Sequence, residues 1–244
     1  MKKVNVEGFQ IDQDVKDLII DKLGYDIYHS GGGIFLYQKE FEKDEDTSEY
    51  LYNIVIAPEE YDNLEDGNSK EKWGVTLSGW EEGSEFSLNL ECFDFKDLPK
   101  ATKLLEENYK ELNIETTLKL EELEDLCENI DVYNELKENG YELELSSFIF
   151  NAEILRGKNV FAKRNKDNNL RFILCPNNKK VFDSSYTLVI KEEISSKDSP
   201  AIEDIIKLTE IDNVNIKDLS ELENKIIEDY KIGELKREEC NYVR

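Results

Sequence analysis

The sequence predicts an α+β fold in two domains, residues 1–114 and 115–244, each a mainly antiparallel sheet with flanking helices. Three observations predict it. Apolar residues recur at helical spacing near the start and the end of each half. Between those stretches lie runs in which apolar and polar residues alternate, punctuated by turns rich in Gly, Asn and Pro. Leu, Ile, Val and Phe supply 71 of the 244 residues, enough to bury a core although 36% of the chain is charged.

The first element is a short strand at Val4–Phe9. Ile11, Val15, Leu18, Ile19 and Leu23 then mark one face of an amphipathic helix that Gly24 terminates. Tyr25–His29 and Ile34–Phe41 read as strands around Ser30-Gly31-Gly32-Gly33, followed by an acidic loop from Glu42 to Glu49. Tyr50–Ala57 is a further strand, and Pro58 opens a polar stretch through Gly67. Trp73–Trp80 and Glu85–Phe95 form a β-hairpin around Glu81-Glu82-Gly83. Asp97 caps a helix with Pro99 in its first turn and Leu98, Ala101, Leu104, Leu105, Tyr109 and Leu112 on its buried face.

The second half opens with one long helix, Thr116 to Asn139, with Leu120, Leu123, Cys127 and Ile130 along one side and carboxylates along the other. Gly140 stops it. Tyr141–Leu155, Asn159–Lys163, Leu170–Cys175 and Val181–Ile190 are strand candidates. Ser199-Pro200 begins a helix holding Ile202, Ile205 and Ile206, and Asn215 with Asp218 starts a last helix presenting Leu219, Leu222, Ile226 and Tyr230. Both halves carry a helix, then Gly-Tyr-acid-aliphatic (Gly24-Tyr25-Asp26-Ile27 and Gly140-Tyr141-Glu142-Leu143), then strands. The repetition raises an internal duplication. Against it, the helix registers before the repeat do not align, and Gly followed by a strand is a generic helix exit.

Charge is the most unusual property of the chain. It carries 56 Asp and Glu against 31 Lys and Arg, net −25. The excess is local: residues 1–145 hold 38 acids and 14 bases, whereas residues 146–244 hold 18 acids and 17 bases. All five arginines lie in the second part, and Arg156 to Lys180 contains eight bases against the single acid Asp167. No apolar run reaches the ~18 residues needed to span a bilayer, and the opening MKKVNVEGFQ lacks a secretory apolar stretch. A cytoplasmic protein without membrane association is expected.

Signatures of chemistry are sparse. The cysteines, Cys92, Cys127, Cys175 and Cys240, are far apart and form no CxxC or Cys/His cluster, so zinc is not expected and reduced thiols are. Tyr28-His29-Ser30-Gly31-Gly32-Gly33 could place a base beside convergent amides, but the Gly-x-Ser-x-Gly elbow that such a motif requires is missing, which leaves a hairpin turn. Phosphate-cradling GxxxxGK[ST] and GxGxxG loops are absent. Asp62, Asp66 and Gly67 match positions 1, 5 and 6 of a calcium loop, but Leu64 and Trp73 occupy positions that need ligands. Glu153 with Lys158, or Asp183 with Lys191, could be recruited into a metal-dependent nuclease, yet with 56 acids such pairs arise by chance. No catalytic residue, metal or cofactor is assigned.

An acidic surface can occupy the Lys/Arg groove that a nucleic-acid-binding protein uses for phosphates, with rapid, steered association. The candidate binding residues are Glu40, Glu42, Asp44, Glu45, Asp46 and Glu49; Glu59, Glu60, Asp62, Glu65 and Asp66; Glu81, Glu82 and Glu85; and the helix face Glu121, Glu122, Glu124, Asp125 and Glu128. Tyr50, Tyr52, Tyr61 and Trp80 are interleaved as anchors. A basic patch of Arg156, Lys158, Lys163, Arg164, Lys166, Arg171, Lys179 and Lys180 sits at the turns of the second domain. It reads as polar turns, salt-bridged to the acidic domain of the same chain or of a second copy in a homodimer, rather than as a direct nucleic-acid site.

In composition the chain resembles the acidic inhibitors that phages and mobile elements direct against restriction and CRISPR enzymes. It also resembles acidic immunity proteins that neutralise basic nuclease toxins. The resemblance rests on charge, on richness in Asn, Lys, Glu and Ile, and on missing catalytic signatures, and it carries over no residue. It implies a non-enzymatic inhibitor whose partner is a basic nucleic-acid-binding protein or a ribonucleoprotein complex. An immunity protein and a metal-dependent nuclease are the alternatives.

Overall fold

The chain is described from a computed structural model, which places residues 2–31, 34–43, 50–59, 67–81, 84–145, 159–165, 167–177, 182, 185–194, 204–233 and 235. It has the α+β architecture that the alternating and helical patterns predict, in two compact units, Met1–Cys127 and Glu128–Arg244.

The first unit starts with a two-stranded hairpin, β1 (Lys3–Val6) and β2 (Phe9–Asp12), where the sequence suggested one strand over Val4–Phe9. Its turn residues, Glu7 and Gly8, both have positive φ (52° and 100°), the combination that matches the twist of a two-residue hairpin. Asp12 accepts a hydrogen bond from the Asp14 amide and caps α1 (Gln13–Val15), which runs on as a π-helical stretch, Lys16–Lys22. Val15 and Ile19 are buried, and Gly24 exits at φ +74°.

Five strands follow in chain order, each antiparallel to the last: β3 (Asp26–Gly31), β4 (Ile34–Lys43), β5 (Tyr50–Pro58), β6 (Lys72–Glu81) and β7 (Ser84–Asp94). Alternation has its usual meaning here. Tyr52, Ile54 and Ile56 of β5 and Trp73, Val75 and Leu77 of β6 are buried, while the residues between them are less so. A 3₁₀ turn, Phe95–Asp97, leads into α2 (Leu98–Asn108), which lies on β5 and β6 with Leu98, Ala101 and Leu105 buried.

The region read as one helix from Thr116 to Asn139 is three elements. β8 (Thr116–Leu118) joins β7 in parallel as a sixth strand, pairing Thr116 with Leu88 and Leu118 with Leu90. Two adjacent β-branched threonines favour that pleated edge over a helix. α3 (Leu120–Glu128) and α4 (Ile130–Glu138) are then separated at Asn129, whose φ of −120° and ψ of 30° lie off the helix. The first unit thus ends at Cys127, within α3, where the sequence suggested residue 114.

The second unit begins at Glu128, and its first helix, α4, is left through Gly140 at φ +81°. Five antiparallel strands again run in chain order: β9 (Glu142–Leu145), β10 (Asn159–Asn165), β11 (Leu170–Pro176), β12 (Tyr186–Ile194) and β13 (Asp204–Val214). A 3₁₀ turn, Ile216–Asp218, and α5 (Leu219–Lys231) complete it. All seven residues of β11 are buried, and Val160, Ala162, Ile173, Cys175 and Val189 form an apolar cluster. The helix expected from Pro200 is not formed where the chain is described. Ile205 and Ile206 belong to β13, paired with Glu193 and Glu192, and a β-branched run completing a ladder outweighs a three-residue helical spacing. Residues 195–203 lie outside the described residues.

Candidate interaction surface

The acidic candidates differ in availability. Glu40, Glu59, Glu85, Glu121 and Glu128 are exposed. Glu42 is also on the surface, but Tyr109 Oη donates to it at 3.0 Å and Lys110 forms an ion pair with it. Those partners hold its carboxyl below the ordinary range. Glu124 is paired with Lys100 at 2.7 Å, and Glu122 accepts the Lys119 amide at 2.8 Å as a helix-end cap. Asp125, assigned to the solvent side of its helix, is instead 5% exposed. Glu81 lies at the end of β6. Asp44, Glu45, Asp46, Glu49, Glu60, Asp62, Glu65, Asp66 and Glu82 lie outside the described residues.

Tyr52 is unavailable as an interface anchor. It is 7% exposed, with Phe86 at 6.3 Å and Tyr109 edge-on at 5.0 Å between ring centroids. The strand period makes the reason plain, since Tyr52 shares a face with Ile54 and Ile56. Tyr61 lies outside the described residues.

Strand register assembles two acidic groups that were not visible as sequence runs. At one end of β5–β7, Lys72 is bonded to Asp94 at 2.6 Å, and its ammonium pKa is raised by Asp94, Glu59 and Asp97. Glu59 and Glu91 also act, after burial, to push up the Cys92 thiol. Glu107 on α2 and Glu111 in the turn after it stand near Cys127 of α3, whose thiol is pushed up to about 12 by burial and by these two carboxylates.

Six acids of the first unit hold seven of its lysines in ion pairs among the described residues: Lys16, Lys39, Lys72, Lys96, Lys100, Lys103 and Lys110. By sequence that unit contains 32 acids and only 13 bases. One-for-one pairing would therefore leave 19 carboxylates without a basic partner, a field of one sign over the unit.

The basic patch is not only a matter of turns. Lys163 and Arg164 are on β10 and Arg171 is on β11. Lys163 donates to Glu223 at 2.6 Å, and Arg171 is 5% exposed. Arg164 is exposed. Arg156, Lys158, Lys166, Lys179 and Lys180 lie outside the described residues.

His29 sits in β3 opposite Phe35 of β4, ring centroids 4.5 Å apart, as a cross-strand pair beside the glycine turn. Trp73 is fully buried and donates to the Asn68 carbonyl at 3.0 Å, so the end of the supposed calcium loop belongs to the core. Among the described residues no three His, Cys, Asp or Glu side chains come together as metal ligands, and Cys92 and Cys127 are free thiols. In comparison with known proteins, the chain matches no family model, no curated protein and no solved structure.

Proposed function

We propose that this protein is a non-enzymatic inhibitor whose first unit occupies a basic, nucleic-acid-binding surface of a target enzyme or ribonucleoprotein complex. The observation that supports the reading is the imbalance of 32 acids to 13 bases in that unit, together with the engagement of seven of its lysines inside the molecule. Such a surface repels nucleic acid and attracts the proteins that hold it. The settings for such an inhibitor are anti-restriction and anti-CRISPR defence by phages or mobile elements.

The test is affinity capture with the full chain, identification of the partner, and titration of the complex at 50 to 500 mM salt with duplex DNA as competitor. A basic nucleic-acid-binding partner, released by salt and displaced by DNA, is expected. Binding indifferent to both, or a partner without a basic face, overturns the proposal. A single nuclease toxin held one to one would assign the protein to immunity instead.

A further inference from the structure

Both units run helix, Gly-Tyr, five antiparallel strands in chain order, 3₁₀ turn, helix. Topology of that kind recurs widely, but agreement of register does not. β3 pairs Asp26 with Gln38 and β9 pairs Glu142 with Ala162, so one residue further Tyr25 comes opposite Lys39 and Tyr141 opposite Lys163. Each pair closes on a glutamate of the helix that follows the five strands. Tyr25 Oη donates to Glu106 at 3.1 Å and Lys39 Nζ at 2.9 Å, while Tyr141 Oη and Lys163 Nζ both donate to Glu223 at 2.6 Å.

The correspondence continues strand by strand. Tyr37 pairs with Ile56 as Phe161 pairs with Leu174, and two residues later each third strand ends in a proline facing an aromatic ring, Pro58 with Trp73 and Pro176 with Tyr186. Immediately after, both sheets carry a bulge at the same place. Between Trp73/Phe93 and Val75/Leu90, and between Tyr186/Val214 and Leu188/Ile211, the fifth strand holds the extra residue. From there the chains align without a gap at a spacing of 121 residues, Leu88–Leu112 on Thr209–Gly233, with six identities in 25 positions. Lys96-Asp97-Leu98 matches Lys217-Asp218-Leu219 at the helix entry, Glu107 matches Glu228, and Tyr109-Lys110 matches Tyr230-Lys231 near the helix end.

We infer that the two units are copies of one module joined in tandem, corresponding through the third to fifth strands and the helix that follows, except that β12–β13 carries a second bulge, between Ile190 and Lys191, that β6–β7 lacks. The pin is the informative exception, because its glutamate has moved by one helical turn. Glu106 stands where the second copy has Ile227, and Glu223 stands where the first has Thr102. The correspondence also turns the charge asymmetry into substitutions at shared positions. The cross-strand row Glu40, Asn53, Ser78 of the first sheet takes the places of Arg164, Arg171, Lys191 in the second. The acidic excess is therefore a property of one copy and not of the module.

The test is to move the pin in the intact chain. Both tryptophans lie in the first unit, so their emission during urea titration reports that unit. Glu106→Ile is expected to lower the urea midpoint, and adding Thr102→Glu to recover at least half of the shift by rebuilding the second copy's arrangement. The reciprocal pair, Glu223→Thr followed by Ile227→Glu, is read by amide exchange in β9 and β10. Double variants no better than the singles overturn the inference. Should Glu223→Thr fail to fold, the first-unit pair decides alone.

Discussion

The same Tyr–Glu–Lys pin is set at two depths in the two units. In the first, Lys39 and Glu106 keep side-chain exposures of 30% and 26%. In the second, Glu223 is 8% exposed beneath Lys163 at 28%. Both tyrosines are fully buried, and burial followed by the neighbouring glutamate raises each phenol well above its ordinary pKa, which keeps it a donor. The difference teaches that one geometry can be a water-tolerant contact in one copy and a core contact in another. A carboxylate that water can reach has an alternative partner, whereas one without that access depends on its cation.

The largest expected effect breaks that comparison directly. Lys163→Met leaves Glu223 buried without its cation and should cost the second unit about 3–5 kcal/mol. Lys39→Met should cost the first about 1 kcal/mol, because Glu106 can turn to water. Urea unfolding of each full-length variant, followed by tryptophan emission and by amide exchange, separates the two, and equal losses would contradict the depth difference.

Next in size is a site where the copies fill one position differently. Gly79 leaves room for the first unit's aromatic group, since a Cβ there would lie 2.5 Å from the Phe86 ring and 2.8 Å from Tyr52. The corresponding Glu192 of the second unit instead accepts a hydrogen bond from Tyr230 at 2.7 Å. Gly79→Ala should destabilise the first unit by about 1–3 kcal/mol through overpacking. An unchanged tryptophan-detected midpoint would mean that this ring cluster is loosely packed.

Smaller again is the response to salt. By sequence the first unit has net charge −19 and the second −6. Raising NaCl from 20 to 500 mM should screen self-repulsion in the first unit and stabilise it on the order of 1 kcal/mol, with less change in the second. Two melting curves with the same two probes measure this, and a larger gain in the second unit would reverse the assignment of the field.

The smallest effect is chemical. With its thiol pushed up to about 12, Cys127 is thiolate only ~10⁻⁴ of the time at pH 8, so alkylation there should be slow and should accelerate as pH rises. Of the three described cysteines, exposed Cys92 should be modified first and buried Cys175 last. Peptide mapping after iodoacetamide gives the order, and a Cys127 as fast as Cys92 would contradict first its burial and then the nearness of Glu107 and Glu111.

Elements that bury one face were legible before any coordinates. The Trp73–Trp80 alternation lies within β6, and the Leu98-to-Leu105 spacing marks α2. β8 was not, because three residues are too few to show a period, and β13 was not, because Ile205 and Ile206 satisfy either period. The Gly-Tyr repeat was visible, but its meaning was not: only the placing of Lys39 opposite Tyr25, and of a glutamate 81 residues away, makes it a pin. Much the same holds for the surface. Runs such as Glu121-Glu122 are read from the chain, whereas the gathering of Glu59, Asp94 and Asp97 around Lys72 exists only after three strands are in register.

Because every described strand pairs with a neighbour in the chain, and only β8 does so in parallel across an intervening helix, contacts within each sheet are local in sequence, which favours rapid assembly. Synthesis at about 5–20 residues per second would spend roughly 6–23 s on the 117 residues after Cys127. The acidic unit would therefore have many seconds on the ribosome to complete its own hairpins before the second copy, built on the same plan, could offer it competing strands.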